Sequence, residues 1–211
     1  MSESTSSQEP IAEEYPIAAG VLFGGGAYVA GIAITFLLVL FDSGIRQEAR
    51  SIGASLLESM LWTYNRAHFV DVTLSPNNPG VGATSIDVIA TLSTSLGILT
   101  YLVPIVVLLC AGYFVAAKGE PTTIGQAVPF GALVFLGYLP LAVIGALLAR
   151  TRVTVGTGSR MAEVVELTNQ FMATVRMDPG LVAIQVGLVY PIVLGAIGGA
   201  IYYYHRERNA A

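Results

Sequence analysis

Four stretches of this chain carry no charged side chain: Tyr15–Phe41, Val88–Ala117, Pro121–Ala149 and Pro179–Tyr204. Each exceeds the ~20 residues that a helix needs to cross ~30 Å of hydrocarbon at ~1.5 Å per residue. Soluble domains carry about a quarter of their residues as charges; here the share is 11%. Four runs of that length are too many for a soluble core to hide. The expected fold is an all-α membrane protein, a four-transmembrane-helix bundle with a small extramembrane cap. The spans are expected at about residues 17–41, 86–117, 124–148 and 181–204, with extramembrane insertions at 43–84 and 150–179.

Ahead of the first span, residues 1–14 are acidic, Ser-rich and without Lys or Arg. That leader and the length of the run it precedes do not match a cleaved signal peptide, and a segment with so little to bury is expected to be disordered. Residues 15–211 then form one membrane domain. The single cysteine, Cys110, lies within a span, which excludes an intrachain disulfide and a thiol metal cluster and suggests a small packing residue. Lys118 is the only lysine, and the formal charge is −4. Arg over Lys, acid over base and many small residues suggest a salt-loving source. No basic stripe is available for nucleic acid, and no motif calls for a cofactor.

In the first span, Gly20, Gly24, Ala27 and Gly31 recur in steps that share one helical face, where another helix can approach closely. Gly24-Gly25-Gly26 lacks the ending of a phosphate loop and sits mid-span, so it reads as helix packing. Residues 43–64 read as an amphipathic helix with Ile45, Ala49, Ile52, Leu56 and Met60 on one face. "HFVDVTLS" then has strand composition, and "PNNPG" marks a turn. After the third span, "RTRVTVGT" alternates like a strand. A second amphipathic helix is expected through Met161, Val164, Val165, Thr168, Phe171, Met172 and Val175. The two strand-like segments follow odd-numbered spans and emerge on one side, where a short two-stranded pairing would satisfy their backbones. The cap is thus two amphipathic helices and that pairing.

"PIVVLLCAGYFVAAK" from Pro104 echoes "PIVLGAIGGAIYYYH" from Pro191, with Gly112 matching Gly199. Duplicated helix pairs in parallel would give a pseudo-two-fold bundle about the membrane normal; a shared packing constraint is the alternative. Tyr precedes Pro in three spans, at Tyr101, Tyr138 and Tyr190. Each Pro frees a backbone carbonyl that a tyrosine hydroxyl could satisfy, and the kinks could open a cavity. Asp87, Thr91 and Ser95 form a polar stripe on the second span, suited either to a vestibule or to helix–helix hydrogen bonds. With Gln185, these residues and the three tyrosines are the candidate cavity lining.

The densest polar chemistry lies at "LWTYNRAHFVDVTLS", residues 61–75, where Tyr64, Asn65, Arg66, His68 and Asp71 cluster. His68 and Asp71 would share a helical face but lie on opposite faces of a strand. A zinc site normally takes at least three protein ligands, and His205 is three spans away. The better reading is structural. Asn65 or Asp71 would cap helix ends or turns, Arg66 would pair with Asp71 or Glu163, and Trp62 and Tyr64 would sit at the membrane interface. The cluster is then the seam of the cap.

Both termini fall on one side with Lys118, Arg206 and Arg208, and the other side holds Arg46, Arg50, Arg66, Arg150, Arg152, Arg160 and Arg176. The positive-inside rule puts the cap in the cytoplasm and the termini outside; "HRER" as a cytoplasmic stop argues the reverse. At "YNRAHFVDV", "GYLPLAVIGA" and "VYPIVLGAIGGA" the chain resembles a family of uncharacterised haloarchaeal membrane proteins with four spans, over about Tyr15 to Tyr204. The resemblance implies haloarchaeal origin and a multi-pass location in the cell membrane, and it supplies no activity. The functional expectation is a non-enzymatic structural or interaction component of an archaeal cell membrane. Its expected partners are the lipid bilayer and a second copy or another membrane protein. A small transporter or channel, and more remotely an enzyme at His68 and Asp71, are the alternatives.

Overall fold

The computed structural model describes residues 15–77, 82–86, 94–156 and 171–210. The acidic tail, Asp87, Thr91, Glu163 and residues 161–170 of the expected second amphipathic helix lie outside the described residues. Four helical runs are long and apolar enough to cross a membrane: Ile17–Phe41, Leu96–Gly119, Ile124–Leu148 and Pro179–Asn209. The chain is thus built as a four-span bundle, with a small sheet alongside.

The first span is α1 (Ile17–Phe41), whose Gly20, Gly24, Ala27 and Gly31 are all buried, as their spacing suggested. A Cβ at Gly20 or Gly24 would collide with the backbone of Leu133 or Val134 in the third span. Without side chains between them, the two backbones meet directly, the usual device of helices that cannot use water to drive association. Gly112 and Gly198 do the same between the second and fourth spans, against Gly195 and Leu109.

Among the described residues α1 is followed by α2 (Ser43–Ile52), α3 (Leu56–Arg66), α4 (Thr94–Gly119) and then α5 (Ile124–Ala132). The third span continues from α5 into α6 (Phe135–Leu148) across Leu133-Val134, where hydrogen bonds tighten to three residues' reach. The fourth opens at Pro179–Leu181, runs as π-helix over Val182–Val189 and finishes as α7 (Tyr190–Ala210). In the wider π turn the Tyr190 N–H reaches the Gln185 carbonyl. Such turns appear mostly as local insertions within α-helices, frequently at functional sites.

The first span packs on the second and third, and so does the fourth. A rotation about the membrane normal that exchanged the first span with the third would need those two on opposite corners. They are neighbours, so the described helices do not form the parallel pseudo-two-fold that the Pro-Ile-Val echo suggested. Cys110 is also not packed inside: it is exposed on the outer surface of α4.

The cap is richer in strand than expected. Its sheet has four strands in the order β2-β1-β4-β3, all antiparallel: β1 (Val72–Pro76), β2 (Thr84–Ile86), β3 (Thr151–Val155) and β4 (Phe171–Arg176). The two strands expected to pair lie in one sheet, but β4 sits between them. Phe171, Met172 and Val175 are therefore strand residues and not part of an amphipathic helix. Phe171, Ala173 and Val175 face inward and Met172 and Arg176 outward, the period of a half-buried strand. Thr84–Ile86, expected next to the start of the second span, instead forms the sheet edge, and α4 is described from Thr94 onward.

The helix expected over 43–64 is two helices. Gly53 at φ 72° ends the first, a conformation open to glycine at little cost. Ser55 and Glu58 start the second by a reciprocal capping box. The inner sheet face, with Val72, Leu74, Val153, Val155, Phe171, Ala173 and Val175, joins α3 and the bundle interior in one continuous core.

Candidate functional site

The polar stretch is the last turn of α3 and the bend after it, and it enters the mouth of the bundle. Ser55 accepts from the Glu58 N–H at 3.2 Å while the Glu58 carboxylate accepts from the Ser55 N–H at 2.7 Å. Burial pushes the Glu58 carboxyl up, but hydrogen bonds from Ser55 and Thr151 outweigh it and hold the group below its usual range. From Ser59 to Asn65 every side chain is buried, whichever way it points. A helix buried all round must be surrounded by protein.

Trp62 donates its indole N–H to the Ala149 carbonyl at 2.7 Å, tying α3 to the end of the third span. Tyr64 lies in the notch left by Gly31, where a Cβ would overlap the tyrosine ring. Neither aromatic faces out toward lipid headgroups or water: Trp62 and Tyr64 have 1% and 0% of their surface exposed. The interface reading of the pair is corrected on that point. Burial also raises the Tyr64 phenol above its ordinary value.

Beyond Arg66 the helix ends on Asn65, whose carbonyl accepts from the N–H groups of His68 and Val70. Asn65 does not cap with its side chain, as expected, but donates from it to the Leu61 carbonyl at 2.8 Å. Phe69 then takes φ 61°, a left-handed conformation that costs a bulky residue on the order of 1–3 kcal/mol. The reversal sends Phe69 outward onto Tyr101, rings stacked at 5.2 Å, and keeps His68 inside. Gln185 holds the bend by donating to the His68 carbonyl at 2.8 Å.

His68 has no exposed surface. Its Nδ1 lies 2.9 Å from the Tyr64 carbonyl and its Nε2 lies 2.9 Å from the Tyr138 hydroxyl. A carbonyl only accepts, so Nδ1 carries the proton and Nε2 is the acceptor. Tyr138 therefore donates to His68, and its oxygen is left to accept from the Tyr64 hydroxyl, its other neighbour. The order of donation is Tyr64 to Tyr138 to His68 and back to the Tyr64 main chain. Burial pushes the His68 imidazole down to about 4, so the ring is neutral. Tyr190 packs edge-on to His68 at 5.1 Å, and Tyr28 packs edge-on to Tyr64 and Tyr138.

Tyr138 lies about 15 Å along its helix from Leu148, roughly halfway through a ~30 Å hydrocarbon layer. The cluster therefore joins three spans and α3 well below the cap. Its chemistry is that of a clasp, because the one basic lone pair, on His68 Nε2, is already held by Tyr138.

The two sets of residues singled out in the sequence thus merge in part. Tyr64, His68, Tyr138, Gln185 and Tyr190 come together. Tyr101 stays one ring away, on Phe69, and the Ser95 side chain is outside the described set. Tyr138 bonds His68 instead of a carbonyl freed by Pro140. Arg66 and Asp71 pair at 3.0 Å, with the Asp71 side chain 59% exposed. His68 and Asp71 therefore face opposite environments and form no dyad. No three His, Cys, Asp or Glu side chains among the described residues converge as a metal site. Sequence reasoning missed Tyr28, whose only signal was a tyrosine in mid-span, away from the interface where tyrosines gather.

A model of a family of unknown function, DUF7978, matches residues 1–206. The chain belongs to that family. No curated protein and no solved structure matches the DUF7978 chain.

Proposed function

We propose that the chain is a structural or interaction component of an archaeal cell membrane, a four-span holder that fixes a folded cap at one membrane face. One observation carries this reading: Tyr64, His68 and Tyr138 are wholly buried and spend their polar groups on one another. Residues that would have to face water in a conduit serve here to lock α3 into the bundle. The Arg excess and the resemblance to haloarchaeal proteins support the source. The concentration of Arg on the cap side, against Lys118, Arg206 and Arg208 on the other, supports a cytoplasmic cap.

Mild cross-linking in native membranes followed by affinity capture should recover a second copy or a stoichiometric membrane partner. A clean monomer, together with solute flux in reconstituted vesicles, would replace this reading with transport. Orientation is read by a single cysteine placed at Arg152 in a Cys110→Ser background. An impermeant thiol reagent should label it only after permeabilisation.

A further inference from the structure

Where the end of the third span meets the sheet there is a cleft of about 300 Å³, at the small end of the ligand-pocket range. Arg150 and Arg176 line it with Thr73 and Asp178, and Leu147 and Pro179 form part of its apolar wall. Arg150 follows the last residues of the third span, and Arg176 shortly precedes Pro179 at the start of the fourth, so both residues stand at the ends of helices long and apolar enough to cross a membrane. Both residues are exposed, and neither has an ion-pair partner among the described residues. Among the described lining residues the acid is Asp178, whose Oδ1 accepts from the N–H groups of Gly180 and Leu181 at 2.7 and 3.2 Å and caps the fourth span, leaving the two guanidiniums in excess over it. Thr73 stands opposite Arg176 in the β1–β4 register, which adds a hydroxyl donor to the two guanidiniums.

We propose that this cleft binds the phosphodiester headgroup of an anionic membrane lipid. Paired guanidiniums present planar forks that match phosphate oxygens. A free phosphate would satisfy those forks and leave the apolar wall wet. A lipid satisfies both, with its headgroup between Arg150 and Arg176 and its chain descending along Leu147, which is 60% exposed on the outside of the bundle. Basic pockets at this level between spans are suited to anionic headgroups.

The test is native mass spectrometry of the full, delipidated chain in detergent with phosphatidylglycerol or phosphatidylcholine. The wild type is expected to retain one phosphatidylglycerol with about a thirty-fold preference, the product of two basic side chains acting near the surface. Arg150→Gln/Arg176→Gln brings the preference near parity, and each single variant lowers it about five-fold, which keeps the measurement decisive if the double variant does not fold. Arg152→Gln, on the neighbouring strand outside the cleft, leaves it unchanged. A preference that survives both single substitutions overturns the proposal, and so does one that Arg152→Gln lowers equally, which would mean diffuse attraction. Displacement of the lipid by inorganic phosphate at equal concentration overturns the assignment to lipid.

Discussion

Removing the Tyr138 hydroxyl tests the direction of the hydrogen-bond chain, because its two neighbours lose different things. In Tyr138→Phe the buried Tyr64 O–H has no acceptor and the buried His68 Nε2 has no donor. Each orphaned group costs about 1–3 kcal/mol, so the substitution should destabilise by roughly 3 kcal/mol. Tyr64→Phe is milder, because Tyr138 still donates to His68 and only one acceptor lone pair goes unfilled; about 1 kcal/mol is expected. The double variant Tyr64→Phe/Tyr138→Phe should then be more stable than Tyr138→Phe alone, since the orphaned donor has gone with it.

Trp62 is the sole tryptophan and is buried on α3, one turn or less from Tyr64. Its fluorescence in detergent reports the undocking of α3 during a denaturant titration. Equal losses for the two single variants, or simple additivity in the double, would refute the assigned donor order.

Below pH 6.5 the unfolded chain takes up a proton at His68 that the folded chain refuses until about 4. Stability should therefore rise with pH across that window, by about 3 kcal/mol in all, and His68→Gln should flatten the profile of the Trp62 transition. Gly31→Ala puts a methyl into the Tyr64 ring and should cost about 1–3 kcal/mol, whereas Gly26→Ala, with nothing within 4 Å, should melt like the wild type. Asp71→Asn breaks an ion pair that is more than half exposed on the Asp71 side. A change in melting within the range of surface pairs, under about 1 kcal/mol, is expected, and a larger loss would show that the pair holds the α3 bend.

The spans were legible because hydrocarbon imposes a length and excludes charge, and both marks are local. The cap was less legible. Phe171, Met172 and Val175 fit a helical face as well as a strand, and the small Ala173 hides the alternation that burial makes plain. The choice was made by β1 and β3 on either side, which are distant in sequence. The break at Gly53 and the Ser55–Glu58 capping box were local signals within a stretch whose apolar period continues across them. Half of the site could be seen as a gathering of polar types at residues 64–71. The other half comes from Gly31, Tyr138, Gln185 and Tyr190, and nothing in a single sequence says that a cap helix descends to meet them.

A polar group at that depth adds stability only where its partners are supplied by protein, and that condition separates Tyr28 from the other tyrosines. Tyr64 and Tyr138 are satisfied only when α3 and the third span are both in place, so their hydroxyls make docking of the cap specific as well as stable. The Tyr28 hydroxyl is buried with no partner among the described residues, and it points at Gly145, where a Cβ would overlap it. Its ring does the packing, edge-on to Tyr64 and Tyr138, and a phenylalanine would do the same. Tyr28→Phe should therefore be neutral or stabilising by up to about 1 kcal/mol, because an unpaired buried hydroxyl is a cost that leaves with the atom. The same Trp62 titration reads it. A loss above about 1 kcal/mol would mean that the hydroxyl has a bound partner, such as an ordered water, and the clasp would then extend to the first span through hydrogen bonds as well as ring packing.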